Sequence, residues 1–134
     1  MMRPLLRYVW AGPTTVVGLV VACALLRRGR AQLVDGVIEA HGPLLDLALR
    51  HLTPLAGGAA AITLGHVVIG RNARALAMTR AHERVHVRQY ELWGPFFVPA
   101  YLAAGLYALA RGGHPYYDNR FERDASIGLD PKRG

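Results

Sequence analysis

The chain is predicted to be α+β, a small mixed domain with an N-terminal membrane-spanning helix. Three observations carry that expectation. Two β-branched stretches, "LVDGVIEA" at 33–40 and "AAITLGHVVIG" at 60–70, lack a helical stripe and read as strands. A periodic segment at 74–92 reads as a helix and stops at Gly94-Pro95. A nineteen-residue run without charge, "YVWAGPTTVVGLVVACALL" at 8–26, matches the length that crosses a hydrocarbon core.

That run divides the 134 residues into a membrane anchor at 1–30 and one domain at 31–134. Tyr8 and Trp10 stand where an interfacial aromatic belt would be. Arg3 and Arg7 flank one end, and Arg27, Arg28 and Arg30 the other, so orientation is not readable from charge. The arginines directly after the run fit an uncleaved anchor better than a cleaved signal. The remaining elements follow in order. Residues 33–40 form a strand. "PLLDLALRHL" at 43–52 is a short helix with Pro43 in its first turn. "TPLAGG" is a loop. Residues 60–70 form a buried strand, with Gly65 marking a bulge or a close approach. In the helix at 74–92, Arg80, Arg84 and Arg88 recur at every fourth position and read as one solvated stripe. His82, Val85, His86 and Gln89 line another face. "PFFVPAYLAAGLYALA" at 95–110 is a second charge-free run, sixteen long with two prolines. A final helix starts at Asn119, and the tail "DPKRG" reads as frayed.

Composition narrows the partners. The chain is 52% apolar and 19% charged, with a net charge of +7 carried mainly by arginine. No strand-like segment interleaves aromatics with arginines, so nucleic acid is not an expected partner. Membrane lipid is. The lone Cys23 forms no internal disulfide.

The helix at 74–92 contains His82-Glu83-Arg84-Val85-His86, an H-E-x-x-H motif. Two histidines four apart project from one helix face, so both imidazoles can bind one zinc ion at about 2.0–2.1 Å. Glu83, offset from the pair, can take a proton from water on the metal and so act as the general base. A catalytic zinc site needs a third protein ligand. Gln89 and Leu92 occupy the positions where the metzincin extension needs Gly and His, so that class is excluded. Glu122 in "DNRFERDA" is the first candidate. It is also placed as the third helical residue after Asn119, where it can cap the helix instead. Asp118 and Asp124 are fallback ligands; His66 and His114 are weaker ones.

On these motifs the chain resembles the gluzincin branch of zinc metallopeptidases in a minimal form. It is also similar to small bacterial HExxH proteins with "TLGHVVIG" before the site helix, "HVRQYELWGPFFVPAY" within and after it, and a terminal "YYDNRFERDA". The resemblance covers roughly residues 60–126. It implies a zincin-like fold, with His82, His86 and Glu122 as zinc ligands and Glu83 as base. Two departures stand out. Ser126 replaces the Asp that often orients a ligand histidine, so support would come from Asp118, Asp124 or a carbonyl. No second domain closes a cleft.

The expected function is therefore zinc-dependent hydrolysis of a peptide or protein substrate at the membrane. The alternatives are a non-catalytic zinc protein, with a structural or partner-binding role, and a metal-free membrane protein. Tyr116, Tyr117 and His114 shortly precede Glu122 in a loop expected to border the site, with Tyr117 the first choice as oxyanion donor. The strand at 60–69 offers an edge for an extended peptide. The zinc reading carries a topological condition. If 95–110 crossed a bilayer, the histidines and Glu122 would lie on opposite sides, so this run must be buried or interfacial.

Overall fold

The computed structural model describes residues 4–52 and 58–127. The loop at 53–57 and the tail from 128 onward lie outside the described residues. The order is α1 (Pro4–Trp10), α2 (Gly12–Leu25), β1 (Arg30–Val34), β2 (Val37–His41), α3 (Pro43–Leu52), β3 (Ala61–Leu64), β4 (Val67–Gly70), α4 (Ala73–Trp93), a 3-10 turn (Gly94–Phe96), α5 (Phe97–Ala110) and α6 (Arg120–Ile127). The fold is α+β around a mixed four-stranded sheet, ordered β1-β2-β4-β3.

Each expected strand is in fact a hairpin. Asp35 and Gly36 both take positive φ, 50° and 79°, which suits a tight two-residue turn, and β1 pairs antiparallel with β2 across it. Gly65, at φ 63°, turns β3 back onto β4 rather than bulging a single strand. The sheet's one parallel pairing, β2 with β4, is bridged by the chain through α3 and β3. Alternation then sorts the side chains. Ala40, Val67 and Ile69 face one side and pack with Leu45 and Leu49 of α3 and Ala22 of α2. Val37 and Val68 face the other side and pack with Leu76 and Val87 of α4.

The expectation of a single N-terminal spanning helix is corrected. Pro13 has no N–H to give the carbonyl of Val9, so the run breaks at Ala11 into helices of 7 and 14 residues. Both fall short of the roughly 20 residues a span needs. α2 lies on the sheet through small residues. A Cβ on Gly18 would stand 2.9 Å from the Cβ of Val67, and Ala22 belongs to the core. Among the described residues, the one helical run long and apolar enough to cross a membrane is Ala73–Ala110, in mid-chain. It bends at Gly94.

The arginine stripe is corrected as well. Arg80 and Arg84 turn toward the sheet and converge on Glu39 of β2, which is 1% exposed. Arg80 grips both carboxylate oxygens at 2.8 and 2.9 Å, and Arg84 donates to Oε2 at 2.9 Å and to the Val34 carbonyl. Arg88 stays exposed. A charge buried in a strand is tolerated because two guanidiniums satisfy it.

Candidate metal centre

α4 starts where Asn72 accepts a hydrogen bond from the Ala75 N–H, and it runs 21 residues to Trp93. Its third and fourth turns carry His82 and His86, whose Nε2 atoms stand 3.3 Å apart. α6 crosses this face and brings Glu122 against both. Its Oε2 lies 2.9 Å from His82 Nε2 and 3.1 Å from His86 Nε2. The capping alternative fails on geometry. Asn119 receives the Phe121 N–H on its own Oδ1 and donates through Nδ2 to the Tyr101 carbonyl, while the Glu122 carboxylate turns inward.

Three donor atoms so placed suit a metal ion. Tetrahedral bonds of 2.0–2.1 Å separate ligand atoms by about 3.3 Å. The observed separations of 2.9 to 3.3 Å need only small adjustment. Two imidazoles with one carboxylate is also a donor set that zinc accepts.

The surroundings hold this tripod in place. Gln89, one turn after His86, accepts the Nδ1–H of that ring on its Oε1 at 2.8 Å and donates through its own Nε2 to the Phe121 carbonyl at 3.1 Å. With Oε1 as the acceptor, His86 keeps a proton on Nδ1, so an ion would take the place of the Nε2 proton that faces Glu122. Tyr101 of α5 donates to the other Glu122 oxygen at 2.8 Å. Burial acts against the Glu122 charge, but hydrogen bonds from His82, His86 and Tyr101 outweigh it and hold the carboxyl at about 2.

Glu83 lies 5% exposed beside the cluster. Its Oε2 accepts a short hydrogen bond from the Thr63 hydroxyl of β3, and Tyr90 ties the Thr63 carbonyl down at 3.1 Å. Burial raises the Glu83 pKa, against the pull of Thr63 and the two imidazoles. Glu83, His86 and Glu122 sit on the wall of a cavity of about 360 Å³. Ile62 and Leu64 of β3 and Phe97, Val98 and Leu102 of α5 supply its apolar walls.

The other expected residues fall elsewhere. Tyr117 is 66% exposed, leans on His114 and does not line the cavity; its neighbour Tyr116 does. The expected oxyanion donor is corrected accordingly. His114 accepts the Tyr116 and Tyr117 N–H groups, and Asp118 accepts the His114 N–H. Asp124 is exposed. His66 pairs with Glu91 at 2.9 Å under the Tyr8 ring. None of these joins the tripod. Sequence reasoning passed over Thr63 and Tyr101 as functional groups and placed Tyr116 behind Tyr117 as the oxyanion donor. It noticed Gln89 on the histidine face without giving it a role. Thr63 had a visible signal, a hydroxyl in an otherwise apolar strand.

These residues define a two-histidine, one-carboxylate centre with a separate buried carboxylate beside it. No family model matches the chain, and no curated protein or solved structure matches it, so the class of the site rests on this geometry.

Proposed function

We propose that the chain is a zinc-dependent peptidase, hydrolysing peptide bonds in a minimal gluzincin-like site. One observation carries the reading. Glu83 shares a cavity wall with two of the three converging donors, yet is held by Thr63 and takes no place among them. A structural site has no use for a second, separately anchored carboxylate. His82, His86 and Glu122 would hold the ion, which would supply Lewis acidity and lower the pKa of a bound water toward about 7.

The chain's own groups do the rest. Glu83 accepts the proton as water oxygen attacks the scissile carbonyl carbon, then returns it to the amine as the C–N bond breaks. Its raised pKa favours the return step. Tyr116 is kept protonated by burial and by the nearby Glu122 and Glu83 charges, so its hydroxyl can donate to the oxyanion. β3 ends the sheet, and Ala61–Leu64 border the cavity, so an extended peptide can add to that edge.

The test measures zinc per chain and turnover of a quenched fluorescent peptide library. Wild type should hold about one zinc, Glu122→Ala should lose it, and Glu83→Gln should keep zinc with turnover down roughly 10²–10⁴-fold. Zinc retained with no Glu83-dependent turnover would leave a non-catalytic zinc protein. No zinc in wild type would end the metal reading altogether.

A further inference from the structure

Two helices leave an apolar surface with no partner among the described residues. α2 and α5 contain no charged residue. α2 presses Gly18 and Ala22 onto the sheet and exposes Val16, Val17 and Val20 at 53–62%. α5 buries Phe97, Gly105 and Ala108 and exposes Leu102, Leu106 and Leu109 at 56–67%. Between them stands an elbow built from α1 and the 3-10 turn, and that turn touches both helices. The Trp10 ring lies 6.0 Å from that of Phe96, and its N–H donates to the Leu92 carbonyl at 3.0 Å. Soluble monomers rarely leave contiguous apolar patches beyond a few hundred Å² uncovered. Here the outer faces of two whole helices are bare.

Arginine marks where each face ends. Arg27 and Arg28 follow α2, Arg111 follows α5, and all three are exposed. With a net charge of +7, this arrangement complements anionic headgroups around an acyl layer. Neither helix can cross that layer. Fourteen residues extend about 21 Å, against a core of about 30 Å. A second reason is independent of length. α5 separates His86 from Glu122 in the chain, yet their side chains stand 3.1 Å apart, so both ends of α5 lie on one side. Arg80 and Arg84, bound to Glu39, keep α4 on the sheet.

We infer that this surface seats the protein in one leaflet of an anionic bilayer. The outer faces of α2 and α5 lie among the acyl chains, the arginines lie at the headgroups, and no helix spans. This inference needs no metal and stands apart from the peptidase reading.

Cys23, the chain's one cysteine, is exposed on α2 and serves as a reporter. The full chain is labelled there with an environment-sensitive NBD fluorophore. It is then mixed with phosphatidylglycerol or phosphatidylcholine vesicles. The expected result is a blue-shifted emission with phosphatidylglycerol, and partitioning at least about tenfold weaker with phosphatidylcholine. Leu106→Gln with Leu109→Gln should weaken binding to both vesicles with an unchanged circular dichroism spectrum. Arg27→Gln, Arg28→Gln and Arg111→Gln together should remove the phosphatidylglycerol preference. Unchanged emission with phosphatidylglycerol vesicles would overturn the proposal, as would a shift that needs protein concentration rather than lipid. Sidedness is read separately, with Ala81→Cys and Arg123→Cys introduced singly in a Cys23→Ser background. An impermeant maleimide added to proteoliposomes should reach both from the same side; opposite sides would mean that α5 spans, and the inference fails.

Discussion

Gln89 orients His86 where a carboxylate was expected, and it does so from the same helix. An amide oxygen at 2.8 Å fixes the imidazole without adding charge, and its own amide is tied to α6. Gln89→Leu should therefore weaken zinc affinity by about 10–100-fold. Competition with a chelator of known affinity measures this, and Gln89→Glu should restore most of it. In the proposed peptidase, Thr63 would position Glu83 rather than react. Thr63→Val removes one hydrogen bond to a charged group, worth about 1.5–3 kcal/mol, so kcat should fall by roughly tenfold or more with zinc content unchanged. A loss confined to KM would sink that role. Among the ligands, the two histidines are legible because their spacing matches the helix repeat. Glu122 was open between two roles, since a helix start suits both. The choice between Tyr116 and Tyr117 is set by the loop backbone, which no periodicity encodes.

The pairing of α4 with β2 illustrates the same limit at the level of elements. Arginines at every fourth position mark one helix face, and the usual fate of such a face is solvent. Here Glu39, 41 residues away from Arg80, draws it inward. The Arg80 hydrogen bonds hold the Glu39 carboxyl below its ordinary 4.5, against the opposing effect of burial. A carboxyl lowered in the folded state contributes stability in full above its unfolded value. That contribution is lost as pH falls below 4.5 toward the lowered value. Glu39→Gln should then destabilise at pH 7 by about 3 kcal/mol, the low end for a broken buried pair because Arg80 is partly solvated. The gap between mutant and wild type should narrow on acidification, as followed by urea unfolding at several pH values. A pH-independent gap would mean that packing, not charge, makes the difference. The α4–α5 bend is equally specific. Gly94 sits at φ 57°, and a Cβ there would meet the Trp10 ring at 2.3 Å. Gly94→Ala should lower the unfolding midpoint and loosen Trp10, seen as a shift in tryptophan emission.

For the whole molecule, the tripod is also a clasp. It joins α4 to α6 across 36 residues, and an ion held only by the folded chain stabilises it by mass action. At a zinc concentration one hundred times Kd the gain is about 2.7 kcal/mol. Thermal unfolding should show a zinc-dependent rise in midpoint for wild type and Glu83→Gln, and none for Glu122→Ala. A rise that survives in Glu122→Ala would place the stabilising ion elsewhere. The same clasp fixes topology, because α5 leaves α4 and returns to α6 on one side of any bilayer.

The sequence by itself determined the α+β class, the bounds of α4 to within a residue or so, and the placing of His82 and His86 on one helix face. It also set the condition that 95–110 must not span. These are local or periodic properties, written in spacing, β-branching and charge-free length. Tertiary structure decided the rest. Two strands became two hairpins: the Asp35-Gly36 pair already signals the first turn in the sequence, whereas Gly65 alone suits a bulge as well as a turn until β3 is seen paired with β4. The N-terminal run became two short helices, one seated on the sheet, because apolar length does not distinguish a lipid partner from a protein one. Glu39 captured Arg80 and Arg84, and Gln89, Thr63 and Tyr101 gathered round the tripod. Their roles depend on residues far away in the chain, and distance in sequence carries no record of a contact that only folding makes.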